Sequence, residues 1–206
     1  MGTEWFRNKE WNAEIASSFN ERLGRARRKE QYLRIQASTL ANTHPTVSLE
    51  LLDRYFELPD DFDHAQAHVD RATALLTLGR TDEAIEAYEA ALTREAAFPK
   101  LLTGAYLEMP FLVAVGKIRN MYERSLELLE AHEDRLMFPV DHFRWHAAKA
   151  LIAADSQLSE VATRHANQAL EAASAQQSGF RYHSSVGLVK EDYDKVIKVL
   201  AAQLAA

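Results

Sequence analysis

The sequence predicts an all-α protein, and three observations carry that prediction. Apolar residues recur at steps of three and four along most of the 206 residues. Turn residues Thr43, Gly79, Gly116 and Gln157 punctuate the chain at intervals of 36 to 41 residues. Only 7 glycines and 5 prolines are present, which argues against a sandwich or barrel. At this length a single domain buries about 70% of the surface that its unfolded chain exposes.

The elements follow in chain order. Residues 1–26 read as an amphipathic capping helix, with Trp11, Ile15, Phe19 and Leu23 at four-residue steps and Trp5 and Phe6 as anchors. A first helical pair runs through Tyr32, Leu33, Ile35, Ala37 and Leu40, turns at His44-Pro45, and continues through Val47, Leu49, Leu52, Tyr55 and Phe56. The acidic run Glu57, Asp60, Asp61 and Asp63 is expected to cap the next helix, because a helix N-terminus favours negative charge.

That helix carries Ala65, Val69, Ala72, Leu75, Leu76 and Leu78 and stops at Gly79, a residue suited to the left-handed closing position. Thr81 or Asp82 is expected to cap its partner, whose apolar stripe is Ala84, Ile85, Tyr88, Ala91 and Leu92. A third pair is expected from about Pro99 to Val115 and through Ile118, Met121, Tyr122, Ser125, Leu126 and Leu129, its first helix kinked at Pro110. The last pair spans about Val140 to Asp155 and Leu158 to Ala175. Beyond it QQSGFRYHSSVGLV has no helical period and reads as a strap, before a closing helix from about Glu191 to Leu204.

The segment 65–98, AQAHVDRATALLTLGRTDEAIEAYEAALTREAAF, resembles a tetratricopeptide repeat through Ala72, Leu75, Leu78, Gly79, Glu83, Ala84, Ile85, Tyr88, Ala91 and Leu92. It departs from the family at His68, where an aromatic is usual, and at Ala96, where a proline is usual. EWFRNKEWN, QYLRIQA and SGFRYHSSVGLV are also similar to a widespread group of bacterial tetratricopeptide proteins. The resemblance implies one domain over 1–206, a right-handed α-α superhelix with about four helical hairpins over 27–175, capped by the N-terminal helix and by the strap and helix of 176–206. It implies a scaffold or adaptor that binds a peptide or helix of a protein partner in a concave groove, without catalysis or cofactor. Carried over by register, the groove residues are Leu33, Arg34 and Ala37, then Val69, Asp70 and Thr73, then Tyr106 and Leu107, then Arg144, Ala147, Ala148 and Leu151. The polar residues by which some members clamp a terminal carboxylate are replaced by Val69 and Thr73. The alternatives are a structural homo-oligomer with a self-occupied groove and, less favoured, a metal-dependent enzyme or ligand binder using paired histidines.

Charge and composition narrow the partners. A net charge of −6 disfavours nucleic acid, and the one basic cluster, Arg22, Arg25, Arg27, Arg28 and Lys29, reads as a solvated helix junction. No stretch approaches the roughly 20 apolar residues of a membrane span. The absence of cysteine excludes thiolate chemistry and suits a cytoplasmic protein. His64 with His68 and His142 with His146 each stand four apart, the spacing by which one helix face offers two imidazoles to a metal. Two ligands do not make a site, so no metal is expected there. Arg181, Tyr182 and His183 form the most enzyme-like cluster by residue type, and packing of their loop explains them as well.

Overall fold

The computed structural model describes residues 4–59 and 62–205, so Asp60 and Asp61 of the acidic run lie outside it. All regular structure among the described residues is helical. The chain divides into two compact units, Met1–Ala105 and Tyr106–Ala206.

In the first unit, α1 (Ala13–Arg25) is capped by Asn12, whose Oδ1 accepts the Ile15 amide at 2.9 Å. Helices α2 (Lys29–Leu40) and α3 (Pro45–Phe56) form a hairpin. Pro45 begins α3, where its missing N–H costs nothing, and buried Ser48 ties the pair by donating to the Ala37 carbonyl at 2.8 Å. Helices α4 (His64–Thr77) and α5 (Thr81–Ala97) form the second hairpin, and α4 packs on both α2 and α3. Phe19, Leu23, Leu33, Leu40, Leu52 and Tyr55 make the core of this unit. The segment before α1 lies on α2. Trp5 packs against Tyr32 at 4.8 Å between ring centroids, and Asn8 and fully buried Gln36 exchange amide hydrogen bonds of 2.8 to 2.9 Å.

The second unit follows from α6 (Ala105–Gly116), which runs through Pro110. After a 3-10 turn at Arg119–Met121 come α7 (Tyr122–Ala131), α8 (Pro139–Asp155) and α9 (Ser159–Ala173). The Trp145 indole on α8 donates to the Leu129 carbonyl of α7 at 2.9 Å, and α8 and α9 form a close hairpin. The strap leads through a 3-10 turn at Glu191–Tyr193 into α10 (Asp194–Ala205), which packs on α9 and α8. Phe143, Ala147, Ala150, Ala166, Ala169 and Leu200 form the core.

The expected caps are corrected in detail. Arg80, not Thr81 or Asp82, precedes α5 and makes no side-chain cap; it reaches forward to Glu83 instead, Nε to Oε1 at 2.6 Å. Asp63 occupies the cap position of α4 without accepting from its amides, because Arg34 holds the carboxylate at 3.1 Å. Helix α6 starts at Ala105 rather than near Pro99: the buried Glu95 carboxylate accepts the Thr103 amide at 2.8 Å and also its hydroxyl, which keeps the connector out of the helix.

Three helix ends close in the same way. The left-handed residue is Gly79 after α4, Lys117 after α6 and Gln157 after α8, with φ of 72°, 53° and 62°. In each, the following amide bonds five residues back, Arg80 to Leu75, Ile118 to Val113 and Leu158 to Ala153, at 2.9 to 3.0 Å. Gly116, expected as the third turn residue, is the last residue of α6, and its neighbour Lys117 takes the strained conformation.

Candidate partner-binding cleft

Most residues assigned to a groove are packed inside the units. Leu33, Ala37, Val69, Leu107, Ala147 and Ala148 are buried. Arg34 bridges Asp63 at 3.1 Å and Asp70 at 3.2 Å, joining α2 to α4. Burial raises the Asp70 carboxyl above its ordinary range, while hydrogen bonds and charge from Gln66, Arg34 and Ser38 pull it back. Thr73 donates to the Val69 carbonyl at 3.1 Å, and buried Tyr106 donates to the Arg135 carbonyl at 3.4 Å. Arg144 donates to the Tyr193 hydroxyl at 2.5 Å, so the segment entering α10 lies on that part of α8. The physical reason is packing: the faces of α2 and α4 chosen by register meet each other in the first unit, and the α8 face around Arg144 meets the C-terminal segment in the second.

Arg34 and Leu151 open into clefts. The Arg34 cleft, about 590 Å³, is lined by Arg28, Glu30, Gln31, Tyr55, Phe62 and Asp63, and its guanidinium is already engaged. The Leu151 cleft, about 410 Å³, lies among α6, α8 and α10. This size falls in the range of ligand pockets. Its construction follows from helical spacing. On α10, Val196, Ile197, Leu200 and Leu204 turn toward the core while Lys195, Val199 and Gln203 fall at four-residue steps on the adjoining face. On α8, Leu151, Ala154 and Asp155 share the opposing face, and Ala114, Val115 and Lys117 close the side from the end of α6.

The walls are apolar, and Val115 and Val199 stay 47% and 49% exposed. Asp155 is braced rather than free. It accepts from Arg119 Nε at 2.7 Å, Arg119 Nη2 at 3.1 Å and the Tyr122 hydroxyl at 3.1 Å. The Arg119 hydrogen bond holds the Asp155 carboxyl below the usual carboxylate range. Gln203 Oε1 is buried with no hydrogen-bond partner among the described residues.

Two other clefts offer less. One of about 460 Å³ on α3, α4 and α5 is lined by Asp53, Arg71, Arg80 and Glu83 among others, and these charges pair with one another, Arg71 with Asp53 and Arg80 with Glu83. Another of about 450 Å³ is bordered by His142, His146, Gln168 and Glu171.

Of the paired histidines, His64, His68 and His146 meet aromatic rings or another histidine rather than a third ligand among the described residues. His64 and His68 both pack against Phe56, at 5.2 and 4.6 Å between ring centroids. His146 Nδ1 lies 3.0 Å from His165 Nδ1 on α9, while His142 is exposed. Burial first, then neighbouring positive charge, lowers His68, His146 and His165 to about 4. Among the described residues no group of three or more His, Cys, Asp or Glu side chains is placed to hold a metal ion. Arg181, Tyr182 and His183 are exposed; the strap is held instead by Phe180 stacked on Phe138 and by Ser178 donating to the His183 carbonyl at 2.7 Å. Arg22, Arg25, Arg27, Arg28 and Lys29 are all exposed. No described helix is long and apolar enough to cross a membrane. Comparison with protein-family models, with curated proteins and with solved structures finds no match to this chain.

Proposed function

We propose that the chain is a bacterial, cytoplasmic, tetratricopeptide-like repeat scaffold that holds a segment of a protein partner in the cleft among α6, α8 and α10. The observation that carries this reading is the cleft itself, an apolar trough with two half-exposed valines on its walls. Its titratable groups are rim lysines and a braced carboxylate, a set suited to holding a ligand rather than to transforming one. The hairpin order and the left-handed closures at 79, 117 and 157 support the repeat architecture and its right-handed superhelix.

A structural role has support of its own, since residues 5–11 lie on α2 and the C-terminal segment lies on α8. Affinity capture from the native cell separates the two readings. Baits are the intact chain and variants carrying Val199→Asp or Leu151→Glu, with folding checked by circular dichroism. Partner binding predicts a protein captured by the intact chain and lost from both variants. Identical partners on all baits would refute the cleft, and self-association by light scattering with no partner would favour the structural reading.

A further inference from the structure

The rim of the α6–α8–α10 cleft carries more information than its walls. Lys195 and Lys117 both line it, from α10 and from the turn after α6. Lys195 has no ion-pair partner among the described residues, and Lys117 is felt by Asp155 only through its field, the carboxylate being bonded to Arg119 and Tyr122. Lys117 is also held at positive φ directly after a glycine that would take that conformation with less strain. The third polar group, Gln203, presents a buried amide oxygen with no partner.

Resting on the proposed peptide-binding reading, we infer that the cleft selects an extended peptide segment in which a branched apolar residue is flanked by an internal aspartate or glutamate. The apolar side chain enters between Val115, Leu151 and Val199. The flanking carboxylate meets Lys195 and Lys117, whose charge is complementary to it. An extended backbone has free N–H and C=O groups, so it satisfies the Gln203 amide whichever way that amide is turned. A continuous helix has spent those groups internally and leaves Gln203 unmet.

Selection from a random nine-residue peptide library displayed on phage, with the full chain as bait, tests this. The expected result is enrichment of Asp or Glu beside Leu, Ile or Val. A Lys117→Glu, Lys195→Glu bait should depress those sequences by about fivefold and favour lysine or arginine in their place. A Val199→Asp bait should lose the apolar preference. Circular dichroism confirms that both variants, altered at exposed positions, remain folded. Enriched peptides without an acidic preference, or identical sets from intact and charge-reversed baits, would overturn the cleft chemistry and leave peptide binding standing. No enrichment over bare support would overturn both.

Discussion

Lys117 and Gln157 show two outcomes for one backbone conformation: the turn at Gln157 stands where the sequence placed it, and the one at Lys117 falls one residue after the expected Gly116. Both close helices in the left-handed region, at a cost of about 1 kcal/mol each relative to glycine. Gln157→Gly and Lys117→Gly are therefore each expected to raise stability by about 1 kcal/mol in urea unfolding, Gln157→Gly without touching the cleft. Gly187 is the converse case. At φ 72°, a β-carbon there would stand 2.4 Å from the Phe138 side chain, and its carbonyl accepts the Val140 amide at 2.8 Å. Gly187→Ala is expected to cost about 2 kcal/mol or more, read as a lowered melting temperature. The histidines set a pH dependence. His68, His146 and His165 fall from an ordinary 6.5 to about 4 in the folded chain, so protons bind the unfolded state more readily. Their contribution is complete above about pH 6.5 and is lost as pH falls toward 4. Asp70, raised by burial, acts in the opposite sense and offsets part of it. Melting temperature should fall across that window, and His165→Gln should flatten the fall.

Among elements, α10 matters most to the proposed site because it forms one wall of the cleft while anchoring itself through fully buried Leu200. Leu200→Ala is expected to cost about 2–5 kcal/mol and to raise amide exchange along α10 before the rest of its unit. The periodic stripes made the helices legible: Ile15 to Leu23 and Tyr32 to Leu40 lie within the helices they predicted, whereas Trp11, expected in the same helix over 1–26, precedes α1, which starts only at Ala13 after its Asn12 cap. Boundaries were less so. Nothing in the order of residues 99–104 announced that Glu95 would reach forward to Thr103 and delay α6, and a glycine at 116 masked the left-handed turn one position later.

At the scale of the whole molecule, the sequence pointed to helical pairs but misplaced the accessible surface. Register picks out a face, and only tertiary packing decides what covers it. Leu33 and Ala37 went into a core, Arg34 and Asp70 into an inter-helix ion pair, and Arg144 under the C-terminal segment. Leu151 reached an open cleft because α10 leaves its end of α8 uncovered. Lys195, Val199 and Gln203 escaped notice because α10 lies outside the repeat pattern, although their four-residue spacing was visible. The central claim, that a partner docks against this cleft, is tested most directly by placing a photoreactive benzophenone side chain at position 199 in the native cell, with exposed Thr93 as the control position. The account predicts a discrete cross-linked protein at 199, absent at 93 and lost when Leu151→Glu is added. Cross-linking that is equal at both positions, or unaffected by Leu151→Glu, would contradict it.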